Sequence, residues 1–297
     1  MGDEFQYSHF EAFERNIGLV SERELSQLAR RLVVIPGCGG VGGVHAQTLA
    51  RLGVGRFRLA DPDVFSLANF NRQILADMET IGRNKAEVTA RMIHAINPQA
   101  EVRVYSEGIT EANAADFVAD ADLLIDGIDF FALPIRRLLF QQARQQAVPA
   151  LTSAPLGFSG TLQVFTPDGL SFDDYFDLHE TQAPFDQFVN FFIGLAPMGL
   201  HAPYMDLSTV RPAEGRGPSS IIGVQLAACL AGAEALRILL GYEPSMRAPE
   251  YLQFDAYRHQ LRKGRLRGGN RDWRQRLKRR LVMKRFRQMG WESAFPG

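Results

Sequence analysis

The chain has 297 residues, 46% hydrophobic and 22% charged, with 33 Lys and Arg matched by 33 Asp and Glu, enough for one large α/β domain or two smaller ones. Its two cysteines, Cys38 and Cys229, exclude a disulfide framework and a zinc site built on C-x-x-C pairs. The N-terminus lacks the order of a signal peptide and no segment reads clearly as a membrane span, so a reducing cytoplasm is the expected setting.

Residues 1–30 read as a polar helical arm, with Phe10, Phe13, Ile17 and Leu19 as packing points and Arg15 between Glu14 and Asn16. Leu32 to Ile35 is a short apolar run, hence a buried strand, and Val44 to Leu52 has helical spacing. Between them Gly37, Gly39 and Gly42 fit the G-x-G-x-x-G spacing, with Gly40 also in the loop. Missing Cβ atoms there let the backbone approach a phosphate, and the helix N-terminus offers free N–H groups, so the loop predicts a nucleotide. Arg56 to Ala60 is a second strand ending at Asp61-Pro62-Asp63, and Asp61 stands where a Rossmann-type fold places the acid that binds ribose hydroxyls.

The connection that follows, with Asn69, Arg72 and Gln73, is unusually polar. A helix opens at Gly82-Arg83-Asn84-Lys85 and runs through Ala95 until Asn97-Pro98 stops it. Val102 to Tyr105, Asp122 to Asp126 and Val148 to Thr152 read as further strands. Ala112 to Ala119 and Phe130 to Gln146 read as helices, the latter with Pro134 in its first turn. This alternation predicts a parallel sheet with right-handed crossovers and a ligand at the carboxyl ends of the strands, where Gly37 to Gly42, Asp61 and Asp129 all lie.

Beyond Ser153 the rhythm changes. Ser159 to Thr166 reads as an alternating strand, Asp168 to Glu180 as a loop, and Pro184 to Tyr204 as a packed irregular segment or lid, because Pro197, Gly199 and Pro203 interrupt it. Ile221 to Leu240, interrupted by Gln225, Glu234 and Arg237, reads as a buried core helix stopped by Gly241, and Tyr251 to Phe254 as one more strand. From Arg258 onward there are 14 Lys or Arg against 2 acids, leaving 19 against 31 in the rest. The expected organisation is therefore a domain over 1–257 and a basic tail over 258–297, the tail being a candidate for binding an acidic partner or nucleic acid or for docking on its own domain.

Gly37 to Gly42, the Asp61 and Asp63 pair, Asn69 with Arg72-Gln73, Lys85, and Asp126-Gly127-Ile128-Asp129 together resemble the ThiF, MoeB and HesA family of ubiquitin-activating-enzyme-like adenylyltransferases, over roughly residues 10–257. The resemblance implies an α/β fold, a Rossmann-like, mostly parallel sheet with flanking helices extended by antiparallel strands. It also implies ATP-dependent adenylation of a carboxylate, such as the C-terminus of a ubiquitin-like protein or peptide. By similarity Asp61 holds the ribose, Asn69 and Arg72 the phosphates, Gln73 the neighbourhood of the adenylate, Lys85 the phosphate charge and Asp129 a Mg²⁺ ion. Arg15 corresponds to an arginine that enters a partner subunit's site, which implies a homodimer. Taken singly, Asp61 also suits a turn, Lys85 a solvated helix charge, Asp129 an N-cap and Arg15 a surface ion pair.

The chain departs from the family in two places. Asp129 is followed by Phe130-Phe131 where the family commonly writes Asp-Asn before a nearby arginine, the next arginines being Arg136 and Arg137. No cysteine stands in the crossover segment, and Cys229 is expected to be a buried apolar thiol in its helix. The expected chemistry is adenylation without a thioester on this chain, with His201 and Asp206 in the irregular segment as candidates to meet an acyl acceptor. Two other functions fit the same motifs: an NAD-dependent oxidoreductase using the glycine loop and Asp61, and an inactive scaffold.

Overall fold

The computed structural model describes residues 6–295. The N-terminal arm consists of α1 (His9–Phe13), a 3-10 turn at Glu14–Asn16 that carries Arg15, and α2 (Glu22–Leu28). A capping box starts α2: Ser21 accepts from the Glu24 N–H while Glu24 reaches back to the Ser21 N–H.

The nucleotide-type half follows as β1 (Leu32–Pro36), α3 (Gly40–Arg51), β2 (Arg56–Ala60), α4 (Lys85–Ile96), β3 (Glu101–Tyr105), α5 (Ala114–Val118), β4 (Leu123–Asp126), α6 (Leu133–Gln145) and β5 (Ala150–Thr152). The second half contains β6 (Pro155–Leu156), β7 (Ser159–Phe165), α7 (Phe172–Phe176), α8 (Pro184–Leu195), α9 (Ile221–Leu239), β8 (Glu250–Asp255), β9 (Gln260–Arg265) and α10 (Trp273–Gln288).

Among the described residues nine strands form one sheet, ordered β3-β2-β1-β4-β5-β7-β8-β9 with β6 paired to β7. The pairs from β3 to β5 are parallel and those from β5 to β9 antiparallel, as expected from the change of rhythm past Ser153. Strand residues alternate between two apolar layers. Val33 and Ile35 face α3, α4 and α9, whereas Leu32 and Val34 face α5 and α6, with α7 and α8 completing that second layer. The chain leaves β1 in one direction and returns to β4 on its other side, which creates a crevice between their carboxyl ends.

Several expectations need correction. The segment 184–204 is not irregular throughout: Pro184 sits at the start of α8, and the breakers Pro197, Gly199 and Pro203 all lie beyond its end. The acidic stretch 168–180 contains α7, capped by Ser171. β7 is buried on both faces rather than alternating, because helices cover both sides of the sheet there. Cys229 is exposed, on the outer side of α9, although the opposite side of that helix packs into the core.

β9 pairs with β8 along six residues, and α10 packs on α8. Polar bonds fix that contact: Asn270 donates to the Phe176 and Asn190 carbonyls, Gln275 to the Ile193 carbonyl, and Arg279 to the Asn190 side chain. Lys278 donates to the Ala196 and Pro197 carbonyls at 2.9 and 3.2 Å, closing the C-terminal end of α8 with a cation. Val282, Met283, Phe286 and Met289 join that apolar contact, whereas Trp273, Leu277 and Leu281 line the outer face. α10 therefore carries two apolar faces on one helix.

Candidate active site

The crevice at the ends of β1 and β4 opens into a cavity of about 700 Å³. Gly37 ends β1 with φ +85°, and a Cβ there would overlap the Gly127 carbonyl at the end of β4. Gly42 is equally constrained, since its Cβ would strike the Gly37 carbonyl. These glycines bring two strand ends together, while Gly39, Gly40 and Val41, where α3 begins, line the cavity itself. The free N–H groups and positive end of α3 thus meet the space, as a phosphate requires. Gly42 does not line it; its role is to let the loop close.

Asp61 stands in the wall, 6% exposed, accepting from the Cys38 N–H at 2.7 Å and the Asp63 N–H at 2.9 Å. Burial raises its carboxyl above the usual range, against the pull of those two N–H groups. Asn84 caps α4 and donates to the Asp61 carbonyl, so Lys85 begins the helix directly beside Asp63. The Lys85 ammonium pairs with the Asp63 carboxylate, and both residues line the cavity.

Arg72 lines the same space, with its guanidinium bonded to the Ala68 carbonyl and the Asn71 side chain. Gln73 is buried against Gly39 and leaves its side-chain oxygen without a partner. Asn69 is elsewhere: its amide oxygen accepts from the Ser66 N–H at 2.9 Å and caps its own turn, and it does not line the cavity. Arg15 is exposed on the turn after α1 and likewise lies outside the cavity wall.

Asp129 is exposed at the rim, one carboxylate oxygen accepting from the Phe131 N–H at 2.9 Å. Asp129 and the phosphate-type loop line the same cavity, which suits a Mg²⁺ ion that takes one or two carboxylates and fills its remaining positions with phosphate oxygens and water. Among the described residues no group of three or more His, Cys, Asp or Glu side chains forms a metal cage.

Arg136 is the site residue that motif reasoning left unassigned. It reaches back from α6 to the Asp126 carboxylate at 2.8 Å and donates to the Ile128 and Asp129 carbonyls, while Thr152 donates to the same carboxylate at 2.7 Å. Its plane lies over the Phe191 ring, 4.8 Å from the centroid. This buried pair braces the turn that presents Asp129. The signal was an arginine one helical turn inside a helix facing the last acid of a buried strand.

Cys38 is fully buried in the loop and burial pushes its thiol pKa up, so it is no nucleophile. His201 is buried outside the cavity wall, and burial lowers its pKa to about 4; Asp206 caps a short turn. Neither is placed to meet a reacting group.

Residues 13–273 match the ThiF family. The chain belongs to the ThiF family. Within it, the sequence is 30% identical over 243 residues to the sulfur carrier protein adenylyltransferase of Thermus thermophilus, covering 80% of this chain and 79% of that one. It is 33% identical over 142 residues to the SAMP-activating enzyme E1 of Haloferax volcanii, 48% of this chain and 52% of that one. The chain spans about half the length of several curated relatives that it matches. In fold it is similar to Escherichia coli MccB crystallised with ATP, with a TM-score of 0.65 at 16% identity over 92% of this chain and 75% of that one. ThiF membership favours a nucleoside triphosphate over the nicotinamide alternative for the glycine loop.

Proposed function

We propose that this ThiF-family protein adenylates a carboxylate with ATP, the acyl donor being the C-terminus of a peptide or ubiquitin-like protein. The observation that carries this is the convergence of the α3 N-terminus, Asp61, Lys85, Arg72 and Asp129 on one cavity. A hydride transfer needs no such set of cations beyond the loop, nor an acid at Asp129.

In the reaction, a carboxylate oxygen forms a bond to the α-phosphorus while the bond from that phosphorus to the bridging oxygen breaks, and pyrophosphate leaves with the electron pair. Asp61 accepts from the ribose hydroxyls and the α3 N-terminus receives a phosphate. Lys85 exchanges Asp63 for the phosphate chain, and Arg72 adds a second cation at the rim, so that charge gathering on the leaving group meets fixed donors. Mg²⁺, held by Asp129, supplies further charge neutralisation to the phosphates when bound. Gln73 and the Asp126–Arg136 pair are positioning residues for the loop and for Asp129.

Arg15 is exposed and does not line its own cavity, in keeping with a homodimer in which it serves the partner's site. Val64, Leu67, Phe70, Ile74, Met78 and Ile81 are large apolar side chains exposed along the segment that carries Arg72, a surface suited to burial against a second copy. We assign the outer face of α10, where Trp273, Leu277 and Leu281 are flanked by Arg274, Arg280 and Lys284, to an acidic protein partner in the cytoplasm.

Labelled pyrophosphate should enter ATP only when Mg²⁺ and a suitable carboxylate are present, and Asp129→Ala should abolish that exchange without lowering the melting temperature. Binding of NADH with no affinity for ATP would overturn the proposal.

A further inference from the structure

The cavity that holds the phosphate-type groups does not end at Asp129. It continues past Phe130 and Phe131 into a chamber walled by Phe192 from α8, Val210 from the crossover segment and Trp291 from the residues after α10. Phe131 stacks on Phe188 with centroids 5.9 Å apart and planes 9° from parallel, and Phe130 meets Phe131 edge to face at 5.2 Å. Phe130, Phe131, Phe192 and Val210 are only partly buried, so they still present apolar surface to the open space. The nearby cations are already engaged, Arg216 with Glu214 at 3.2 Å and Arg136 with Asp126 at 2.8 Å.

Position in the chain orders these parts. Asp129 is the immediate neighbour of Phe130, so a carboxylate activated beside Asp129 has its next substituent against the aromatic wall. Water in such a chamber finds few partners, and an apolar group that displaces it gains both burial and ring contacts. We propose that the acyl donor bears a bulky aliphatic or aromatic side chain next to its carboxylate, and that this chamber is the specificity subsite for it, an assignment that rests on the adenylation proposed above. The Phe130-Phe131 pair that departs from the family's pattern is the floor of that subsite. The donor's carboxylate belongs to a chain terminus or to a small acid; the chemistry recognised is the same.

The test compares capped pentapeptides ending in Phe, Leu, Gly or Asp, together with N-acetylphenylalanine, in ATP–pyrophosphate exchange. Phe- and Leu-ended donors should show a KM at least about tenfold below the Gly-ended one, and Phe131→Ala should erase most of that advantage. A response to peptides without one to N-acetylphenylalanine identifies a chain terminus as the source, and both outcomes support the subsite. Equal KM values, or a preference for Gly or Asp, overturn it.

A binding readout independent of turnover uses the two tryptophans. Trp273 is exposed on the outer face of α10, so Trp273→Phe leaves Trp291 as the reporter inside the chamber. Phe-ended peptide should change its fluorescence saturably and Gly-ended peptide should not. An unresponsive Trp291 overturns the subsite even where ATP binds normally, whereas a responsive Trp291 in a protein without ATP affinity overturns the adenylation and keeps the chamber.

Discussion

The Lys85 ammonium lies 2.8 Å from the Asp63 carboxylate, with the lysine side chain almost wholly buried and the aspartate side chain 68% exposed. The carboxylate therefore holds the cation in place at little desolvation cost to itself, and can release it to a phosphate. Lys85→Met should lower pyrophosphate exchange by about 10²-fold or more, the usual cost of removing one donor aimed at developing charge. Asp63→Asn keeps the ammonium and should cost no more than about tenfold, in line with the small worth of pairs open to solvent. Equal losses in the two variants would show that the pair, rather than the cation, carries the effect.

Removing one member of the Asp126–Arg136 pair leaves the other buried and uncompensated, since each residue is 3% exposed. Arg136→Met should destabilise the fold by about 3–5 kcal/mol, measured by urea unfolding. The double variant Asp126→Leu/Arg136→Met should recover part of that stability, because no lone charge remains, yet stay inactive because the turn that presents Asp129 has lost its brace.

His45 is buried in α3 with neither ring nitrogen bonded, and burial lowers its pKa to about 3. The unfolded imidazole titrates near pH ~6.5, so below that pH the unfolded chain takes up a proton that the folded chain refuses. Stability is complete above pH ~6.5 and falls on acidification until the folded pKa is reached, by about 2 kcal/mol per such histidine between pH 6.5 and pH 5. His201, lowered to about 4 by burial, acts in the same direction. Urea midpoints at pH 7.5 and pH 5 should differ less in His45→Leu than in the native protein; an unchanged difference would remove His45 as a cause.

Arg15 and Asp129 offer a test of the dimer. Each of Arg15→Ala and Asp129→Ala should be deficient in exchange alone, and mixing the two under subunit exchange should restore about a quarter of native activity, since a random mixture is half heterodimers and each heterodimer retains one intact site. No recovery from a mixture shown to form heterodimers would place Arg15 outside the partner's site.

Much of the first half was legible because its chemistry is local. Leu32 to Ile35 and Leu123 to Asp126 are short apolar runs bounded by glycine turns, and the glycine spacing fixes how closely two strand ends meet. The alternation of strands and helices set Gly37 to Gly42, Asp61 and Asp129 at the strands' carboxyl ends, where Asp61 and Asp129 line the cavity; Lys85, which lines it too, was indicated only by the resemblance. Arg136 was harder, since nothing local says which of two adjacent arginines turns inward; packing on Phe191 and the buried Asp126 decide it. Asn69 looked available for phosphate because its competing bond to Ser66 is a turn geometry, not a pattern of residue types. α8 was obscured because Pro184 at its start and Pro197, Gly199 and Pro203 beyond its end make the whole segment read as interrupted, and Cys229 because a largely apolar helix does not reveal which side it turns outward.

Trp291 comes from the opposite end of the chain to the glycine loop, yet both border the same space. During synthesis on the ribosome, therefore, the parallel strands β1 to β5 are available before the aromatic wall is finished, and until Trp291 emerges Phe131 and Phe188 lack its cover. The nascent protein passes through a stage in which the glycine loop is formed but the apolar chamber is still open, and chaperone capture should peak during that interval.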